Sequence, residues 1–238
     1  MTTIRPSTDY PLGNTDAEHE RLIRQAKRVA PTTERFFREA GIGPGQRVLD
    51  IGSGVGDVAM LIARLVGPSG EVVAIERDPK SIAKARARVT EAGFDNVSFN
   101  ESDVGEIPDG KPFDAAVGRF ILMYLPDPVA VLRAISRLVR PGGVLVFQEP
   151  YWVPVLAHLA KLPLWFATAS LIDKAMLCQS RNGNGALPRI CRGWIARACH
   201  AFGTAVREGT LPGTMVLRYL MQFATQGGAA ASADRIVG

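Results

Sequence analysis

The sequence predicts a doubly wound α/β fold, and three observations lead to this prediction. An apolar run at 47–51 ends in a turn with glycines at positions 52, 54 and 56, and a helical pattern follows. A second apolar run at 71–76 ends in a carboxylate. Strand and helix patterns then alternate, with short loops, as far as residue 148. This alternation predicts a mostly parallel sheet with helices on both faces, and the glycine turn indicates a nucleotide-binding half of such a sheet.

The first 44 residues predict a helical lead-in or lid. A helix is predicted over 16–30, because Thr15 is a good N-cap residue and Glu18 completes a capping-box pattern. A second helix is predicted over 32–40, where a turn rich in glycine and proline ends it.

The ligand-binding core is predicted at 45–150. Its expected strands are 47–51, 71–76, 97–101, 113–119 and 143–148, and its expected helices are 55–66, 79–92 and 127–139.

Residues 151–186 predict an apolar helical cap after the fifth strand. The uncharged runs 150–160 and 162–172 have 11 residues each and contain prolines. They are too short for a membrane span, which needs about 20 apolar residues. The aromatic side chains, among them Trp152 and Trp165, either surround a ligand or pack permanently, which leaves a homodimer interface open.

Residues 187–238 are expected to complete the core. A helix is predicted at 187–202 and a sixth strand at 204–211, whereas 214–224 is ambiguous and its spacing favours a helix slightly. No convincing final strand is found. Either the chain is truncated or its end departs from the usual pattern.

Composition and charge exclude several classes of function. The net charge is +5, but the basic residues are spread along the chain. We interpret the basic positions on two helices as solvated faces rather than a nucleic-acid surface: Lys80, Lys84, Arg86, Arg88, Arg133, Arg137 and Arg140. The three cysteines form no C-x-x-C pair, and the first residues lack an apolar signal core. These features predict reduced thiols and a cytoplasmic protein.

The glycine turn also indicates the type of nucleotide. Asp50 precedes the turn, and Asp57 occupies the position of a third dinucleotide-type glycine. Two carboxylates would repel a pyrophosphate, whereas they suit a ligand with an amino group and a sulfonium. Glu76, at the tip of the neighbouring strand, can accept hydrogen bonds from both hydroxyls of a ribose.

The string Val-Leu-Asp-Ile-Gly-Ser-Gly-Val-Gly at 48–56 resembles motif I of the class I S-adenosylmethionine-dependent methyltransferases. The Leu-Val-Arg-Pro-Gly-Gly turn at 138–143 resembles their small-molecule branch, similar to the ubiquinone and menaquinone biosynthesis enzymes. Residues 12–22 resemble the lead-in of small-molecule members, in which a helix covers the cofactor. The resemblance implies a Rossmann-like methyltransferase sheet with S-adenosylmethionine as cofactor.

The resemblance also implies a set of cofactor-binding residues. Glu76 would bind the ribose, Asp103 the adenine amino group, and the backbone N–H of Val104 a ring nitrogen. Arg119 belongs to the strand and loop beside the sulfonium. The full expected set is Tyr10, Asp50, Gly52, Ser53, Gly54, Gly56, Glu76, Arg77, Asp103, Val104 and Arg119.

Four of these residues have ordinary alternatives. Asp50 either contacts the ligand, directly or through water, or only caps the loop amides. Asp103 is otherwise a turn-capping residue. Arg77 either packs along the adenine edge or is solvated, and Tyr10 either closes over the methionine end or is a surface aromatic.

Methyl transfer is an in-line displacement in which the protein mainly aligns the acceptor and excludes water. A hydroxyl acceptor would benefit from a general base. The candidates near the sheet edge are Tyr124, Glu149, Tyr151 and His158. Glu149 has the best position because it ends the fifth strand, and His158 is otherwise a packed histidine of the cap. No His, Cys and carboxylate positions have metal-ligand spacing, so no metal is expected.

The sequence therefore predicts a methyltransferase that uses S-adenosylmethionine to methylate a small, largely apolar or aromatic acceptor. The alternatives are an aminopropyl-type transferase and a non-catalytic binding or regulatory protein with the same fold.

Overall fold

The computed structural model describes residues 13–103, 110–125, 127–151, 216–223 and 231–234. Seven strands form one sheet in the order β3-β2-β1-β4-β5-β6-β7. The strands are β1 (Arg47–Ile51), β2 (Glu71–Glu76), β3 (Val97–Glu101), β4 (Phe113–Arg119), β5 (Val139–Tyr151), β6 (Val216–Phe223) and β7 (Ala231–Asp234). The helices are α1 (Asp16–Glu39), α2 (Asp57–Val66), α3 (Pro79–Glu91) and α4 (Pro128–Leu138), and a 3-10 turn spans Leu122–Tyr124.

The sheet reverses its direction of growth beside β1. The chain moves outward from β1 to β2 and β3 and then crosses to β4 on the other side of β1, all in parallel. At this reversal Asp50 is in register with Val117, and Ile51 with Gly118. Such a topological switch point opens a crevice at the carboxyl ends of the strands, where ligands bind in doubly wound sheets. The predicted α/β fold is confirmed, and those predicted site residues that the structure describes lie at this edge.

The central strands are mostly apolar because both faces of the sheet are covered. Val48 belongs to a cluster with residues of α1, α2 and α3, whereas the next residue, Leu49, belongs to the cluster that includes residues of α4. Alternate residues of one strand thus serve two cores, which explains why β1 and β2 read as continuous hydrophobic runs in the sequence.

The prediction of two N-terminal helices is wrong, because α1 continues through Pro31. A proline inside a helix removes one hydrogen bond and normally bends or ends it. Here, buried residues on both sides of Pro31 hold the helix together against the core: Ala26 before it, and Thr33, Phe36 and Phe37 after it. Thr15 accepts a hydrogen bond from the N–H of Glu18, so the predicted N-cap is confirmed.

Two expectations for the end of the chain are also wrong. The segment 214–224, for which a helix was favoured, contains β6, which runs parallel to β5 over Val144–Tyr151. A closing strand exists as well, since β7 pairs antiparallel with β6. Its sequence, Ala-Ser-Ala-Asp, has no β-branched or aromatic residue, so its strand propensity is low and pairing with β6 makes it a strand.

The fifth strand is longer than predicted. The segment 140–143, expected to be a loop, lies within β5, which starts directly after α4 and pairs with β4 through an irregularity between Phe113 and Ala115. Arg140 is therefore a strand residue and not, as predicted, part of the helix face.

The cap beyond Tyr151, the helix at 187–202 and the strand at 204–211 lie outside the described residues and stay predictions. Among the helices that the structure describes, none has the length and apolar character needed to cross a membrane.

Candidate active site at the carboxyl edge of the sheet

The three glycines of the turn after β1 have positive φ angles of 65°, 52° and 84° at Gly52, Gly54 and Gly56. A Cβ at Gly52 would lie 2.5 Å from Ile121 Cδ1, and one at Gly56 would lie 3.1 Å from Ala85 Cβ. A Cβ at Gly54 would meet no atom within 4 Å. Gly52 and Gly56 are thus explained by packing within the protein, whereas Gly54 borders open space that a ligand can fill.

Glu76 holds the glycine turn in place. Its Oε2 accepts a hydrogen bond of 2.9 Å from the N–H of Gly54, and its Oε1 accepts bonds of 2.8 and 3.1 Å from the N–H groups of Arg77 and Asp78. The predicted ribose-binding residue and the glycine turn therefore form one unit. A carboxylate also keeps lone pairs for further donors such as hydroxyls.

Arg77 and Asp103 are exposed at the ends of β2 and β3. The N–H of Ser102 donates to the backbone oxygen of Glu76 at 3.1 Å, which brings the end of β3 beside the ribose-binding position. The structure thus brings Glu76, Arg77 and Asp103 to one stretch of the edge, and their roles in cofactor binding stay predictions. Tyr10 and Val104 lie outside the described residues.

Asp50 is a buried carboxyl group under the turn, with 1% of its surface exposed. Its Oδ2 and the Oγ of Ser53 have no hydrogen-bond partner among the residues that the structure describes. Burial raises the pKa of Asp50 to about 7, an effect that Arg119 opposes and Glu76 reinforces. A group that costs this much to ionise is a candidate for binding a cationic part of a ligand.

Arg119 ends β4 on the opposite side of β1 from Glu76. Its Nη1 donates to Thr33 Oγ1 at 3.4 Å, and Thr33 in turn is hydrogen bonded at 2.6 Å to Gln148 Oε1. Burial lowers the pKa of the Arg119 guanidinium, while the charges of Asp57 and Asp50 act in the opposite direction. Phe120, which follows Arg119, has a φ of 57°, a costly conformation for a residue with a Cβ and one that clusters at functional sites.

Asp57 does not add free negative charge to this edge. It forms an ion pair of 2.7 Å with Arg88 of α3, and Arg88 also donates to the backbone oxygen of Val55. Arg86 donates to the backbone oxygen of Phe99 at 2.8 Å. The interpretation of Arg88 as a solvated residue is therefore wrong, because its side chain is 17% exposed and reaches from α3 to α2 and the turn before it. Arg86 is exposed, as predicted, although its guanidinium also contacts β3.

Glu149 has a structural role that the sequence did not reveal. It is buried at the carboxyl end of β5, and its Oε1 accepts bonds of 2.9 Å from the N–H groups of Ile121 and Leu122. It thereby positions Ile121, which packs against Gly52. Its role as a general base stays a prediction, and so does that of Tyr124, which is half-buried in the 3-10 turn. His158 lies outside the described residues.

Sequence reasoning missed the residues that attach α1 to this edge. His19 is buried, and its Nε2 lies 3.1 Å from Ser81 Oγ near the start of α3, where Asp78 caps the helix. Thr33 forms the second attachment, through Gln148. A small polar residue between apolar helix positions was the one available signal for Thr33. In the parts of the chain that are described, no three His, Cys, Asp or Glu side chains are grouped so as to hold a metal ion.

These residues fit S-adenosylmethionine by the following observations. Gly54 leaves a space that a Cβ would enter, and Glu76 borders it with a carboxylate. Asp50 Oδ2 and Ser53 Oγ are buried polar atoms that lack a partner among the described residues. A ligand with hydroxyls and an ammonium group would satisfy such a set.

Comparison with known proteins agrees with this geometry. Residues 42–204 match the family model described as a methyltransferase domain. The chain is 33% identical over 146 residues to an arsenite methyltransferase of Halobacterium salinarum, covering 58% of this chain and 37% of the relative. It is 36% identical over 124 residues to a ubiquinone/menaquinone biosynthesis C-methyltransferase of Cellvibrio japonicus, covering 50% of each. The chain thus spans half or less of the length of these curated relatives.

A solved structure of a SAM-dependent methyltransferase from Aquifex aeolicus matches with a TM-score of 0.43 and 28% identity, over 45% of this chain and 58% of that one. The family model alone covers more than half of the sequence. The chain therefore belongs to the methyltransferase-domain family, whose cofactor is S-adenosylmethionine.

Proposed function

We propose that this protein is a methyltransferase that transfers the methyl group of S-adenosylmethionine to a small, largely apolar or aromatic acceptor. The observation that carries the proposal is the unit formed by Gly54 and Glu76, with the buried carboxyl of Asp50 beside it. Its position at the topological switch point of a methyltransferase-domain chain supports this reading over the two alternatives.

The residues of the chain would bind and orient rather than react. When bound, the cofactor supplies a methyl group that its sulfonium already activates. Glu76 has lone pairs left for the ribose hydroxyls, and the open space at Gly54 lets the ligand approach the backbone. The attached helix α1 shields this edge from water. In such a reaction, alignment and exclusion of water provide most of the catalysis.

The acceptor class rests on the sequence that follows β5. Tyr151 ends this strand at the same edge as the glycine turn, and the aromatic residues predicted for the cap follow directly, outside the described residues. The name of one relative, a ubiquinone/menaquinone biosynthesis C-methyltransferase, is in keeping with an apolar acceptor. Another relative is an arsenite methyltransferase, so arsenite is the alternative acceptor that the experiment must test.

The decisive experiment measures S-adenosylhomocysteine formation with a panel of acceptors. We expect turnover with phenolic or quinol-type compounds, and a chelator should not change it. Arsenite should give no turnover. Binding of the cofactor without turnover on any metabolite extract would indicate a non-catalytic protein. Release of 5′-methylthioadenosine from decarboxylated S-adenosylmethionine in the presence of a polyamine would indicate aminopropyl transfer.

The acceptor assignment has its own test in the predicted cap. We expect Trp152→Ala or Trp165→Ala to raise the KM for the acceptor while the affinity for the cofactor stays the same. If both variants fold and leave this KM unchanged, the segment packs permanently, and the apolar acceptor loses its support. Size-exclusion chromatography of the same variants tests the homodimer that this second reading leaves open.

The location is the last part of the proposal. Three cysteines without a C-x-x-C pair are in keeping with reduced thiols and a cytoplasmic protein. Thiol titration of the protein purified from its native cells tests this, because disulfide-bonded cysteines would contradict it.

A further inference from the structure

Arg119 has fewer partners than its environment demands. A guanidinium carries five N–H donors, and among the described residues Arg119 makes one hydrogen bond, of 3.4 Å, to Thr33 Oγ1. It forms no ion pair within the described part of the chain. Arg119 is half-buried, and burial lowers the pKa of its guanidinium. A sheltered cation is costly unless it is paired or hydrogen bonded.

The other sheltered arginines of the structure show what such a group normally requires. Arg47 and Arg88 have side chains that are 18% and 17% exposed, and each forms an ion pair of 2.7 Å, with Glu71 and Asp57 respectively. Two carboxyl groups, those of Asp57 and Asp50, act electrostatically on Arg119. Asp57 is already paired with Arg88, and Asp50 is not within ion-pair distance of Arg119. The Arg119 guanidinium is therefore arranged for an anion that does not belong to these residues.

The position of Arg119 defines which part of the ligand it can reach. Glu76 ends β2, the glycine turn follows β1, and Arg119 ends β4, so the three lie in sequence across the edge of the sheet. Neighbouring strands are about 4.8 Å apart, which places the ends of β2 and β4 roughly 10 Å from each other. A ligand whose ribose lies at Glu76 and which passes Gly54 brings its opposite end to Arg119.

We propose that Arg119 binds the carboxylate of the amino-acid end of S-adenosylmethionine, with Thr33 as the residue that positions the guanidinium. This assignment rests on the proposed function. The adenosine part of the cofactor is neutral, and its sulfonium and ammonium groups are cationic. The carboxylate is thus the one group of the cofactor that a guanidinium attracts, and two parallel hydrogen bonds suit this pair.

The test compares two ligands that differ by the amino-acid end. Calorimetry is performed with S-adenosylhomocysteine and with 5′-methylthioadenosine, which lacks both the carboxylate and the amino group. We expect Arg119→Met to weaken S-adenosylhomocysteine by about tenfold or more, and 5′-methylthioadenosine by less than about twofold. Arg119→Lys should lie between the two, since it keeps the charge and loses the bidentate geometry.

Arg47→Met provides the matched control. It removes a similarly sheltered arginine from the opposite edge of the sheet, so it should lower the melting temperature and leave both affinities unchanged. Thr33→Val should weaken S-adenosylhomocysteine more than 5′-methylthioadenosine, because it removes the contact that holds the guanidinium.

A second measurement needs no variant and remains decisive if the Arg119 variants do not fold. The wild-type protein is titrated with S-(5′-adenosyl)-3-thiopropylamine, which keeps the amino group and lacks the carboxylate. We expect it to bind at least about tenfold more weakly than S-adenosylhomocysteine. If the wild type binds the thiopropylamine analogue as tightly as S-adenosylhomocysteine, the assignment is wrong. It is also wrong if Arg119→Met weakens S-adenosylhomocysteine and 5′-methylthioadenosine equally. Either result leaves the proposed function in place. Failure of the wild type to bind S-adenosylhomocysteine overturns the proposed function and this assignment with it.

Discussion

The amino ends of the strands form one edge of the sheet (the amino edge) and their carboxyl ends form the other (the carboxyl edge). Both edges contain charged residues, but these residues differ in how completely the protein pairs them. At the amino edge, Arg47 pairs with Glu71 at 2.7 Å and its guanidinium lies 4.0 Å from the Phe113 ring centroid. Asp114 accepts bonds of 2.8 Å from the N–H of Arg47 and 2.6 Å from Arg140 Nε. At the carboxyl edge, Asp50 Oδ2 has no partner among the described residues and Arg119 has a single long hydrogen bond.

The two aspartates of neighbouring strands show what this difference means. Burial raises the pKa of Asp50 to about 7. Burial also acts to raise the pKa of Asp114, but hydrogen bonds from Arg140 and from the Arg47 backbone outweigh it, and the pKa lies below its ordinary value. The charged groups named at the amino edge are thus satisfied by the protein and stabilise it, whereas Asp50 and Arg119 at the carboxyl edge are less completely satisfied by the described residues.

The largest expected effect comes from Gly54→Val. Its side chain would enter the open space beside the turn, so we expect the affinity for S-adenosylhomocysteine to fall by more than about a hundredfold. Gly93→Val is the matched control, because Gly93 also has a positive φ, of 73°, and open space around it, but lies at the amino edge after α3. Both variants should lose roughly 1–2 kcal/mol of stability through backbone strain. Normal affinity in Gly54→Val would contradict the site.

The next largest effect comes from comparing substitutions at the two ends of β2. We expect Glu76→Ala to weaken S-adenosylhomocysteine by at least about tenfold, because it removes ribose contacts and frees the N–H of Gly54. Glu71→Ala, at the other end of the strand, should leave the affinity unchanged. Equilibrium binding of both variants gives the comparison, and similar losses in the two would show that the edges do not differ in this respect.

The pH dependence of stability should have opposite signs at the two aspartates. Because the folded-state pKa of Asp50 is raised, the native state binds more protons between about pH 4 and pH 7, and the free energy of unfolding falls as pH rises through this window. Asp50→Asn should remove this decline, which is about 4 kcal/mol over the whole window because each pKa unit corresponds to about 1.4 kcal/mol.

At Asp114 the folded-state pKa is lowered, so its contribution is lost as pH falls below about 4. Urea unfolding of the wild type, Asp50→Asn and Asp114→Asn at several pH values measures both differences. The same sign at both positions would contradict the proposed contrast between the edges.

The smallest effect is expected for Arg140→Met. Arg140 is 48% exposed and its ion pair with Asp114 is at the protein surface, so its loss should cost less than about 1 kcal/mol. Thermal unfolding measures this cost, and calorimetry should show unchanged ligand affinity. A loss of affinity here would mean that the amino edge also influences the site.

Much of the site was predictable because its signals are local. The turn 52–56 needs glycines for its positive φ angles, and Glu76 ends an apolar strand, so both can be recognised without any partner. The attachments of α1 were not predictable. Thr33 and Gln148 are 115 positions apart, and His19 and Ser81 are 62 apart, and no periodicity relates such pairs.

By itself, the sequence determined the alternation of the central strands and helices, the glycine turn and the acidic residue that borders it, since local geometry and burial on both faces require these residues. Tertiary structure decided the rest. Pairing with β5 made a strand of 216–223, packing on both sides of Pro31 kept α1 continuous, and contacts across the fold gave Glu149 and Arg88 their partners. These outcomes depend on distant groups that compete for the same backbone and side chains, and local propensity is weaker than the burial and hydrogen bonds that such groups provide.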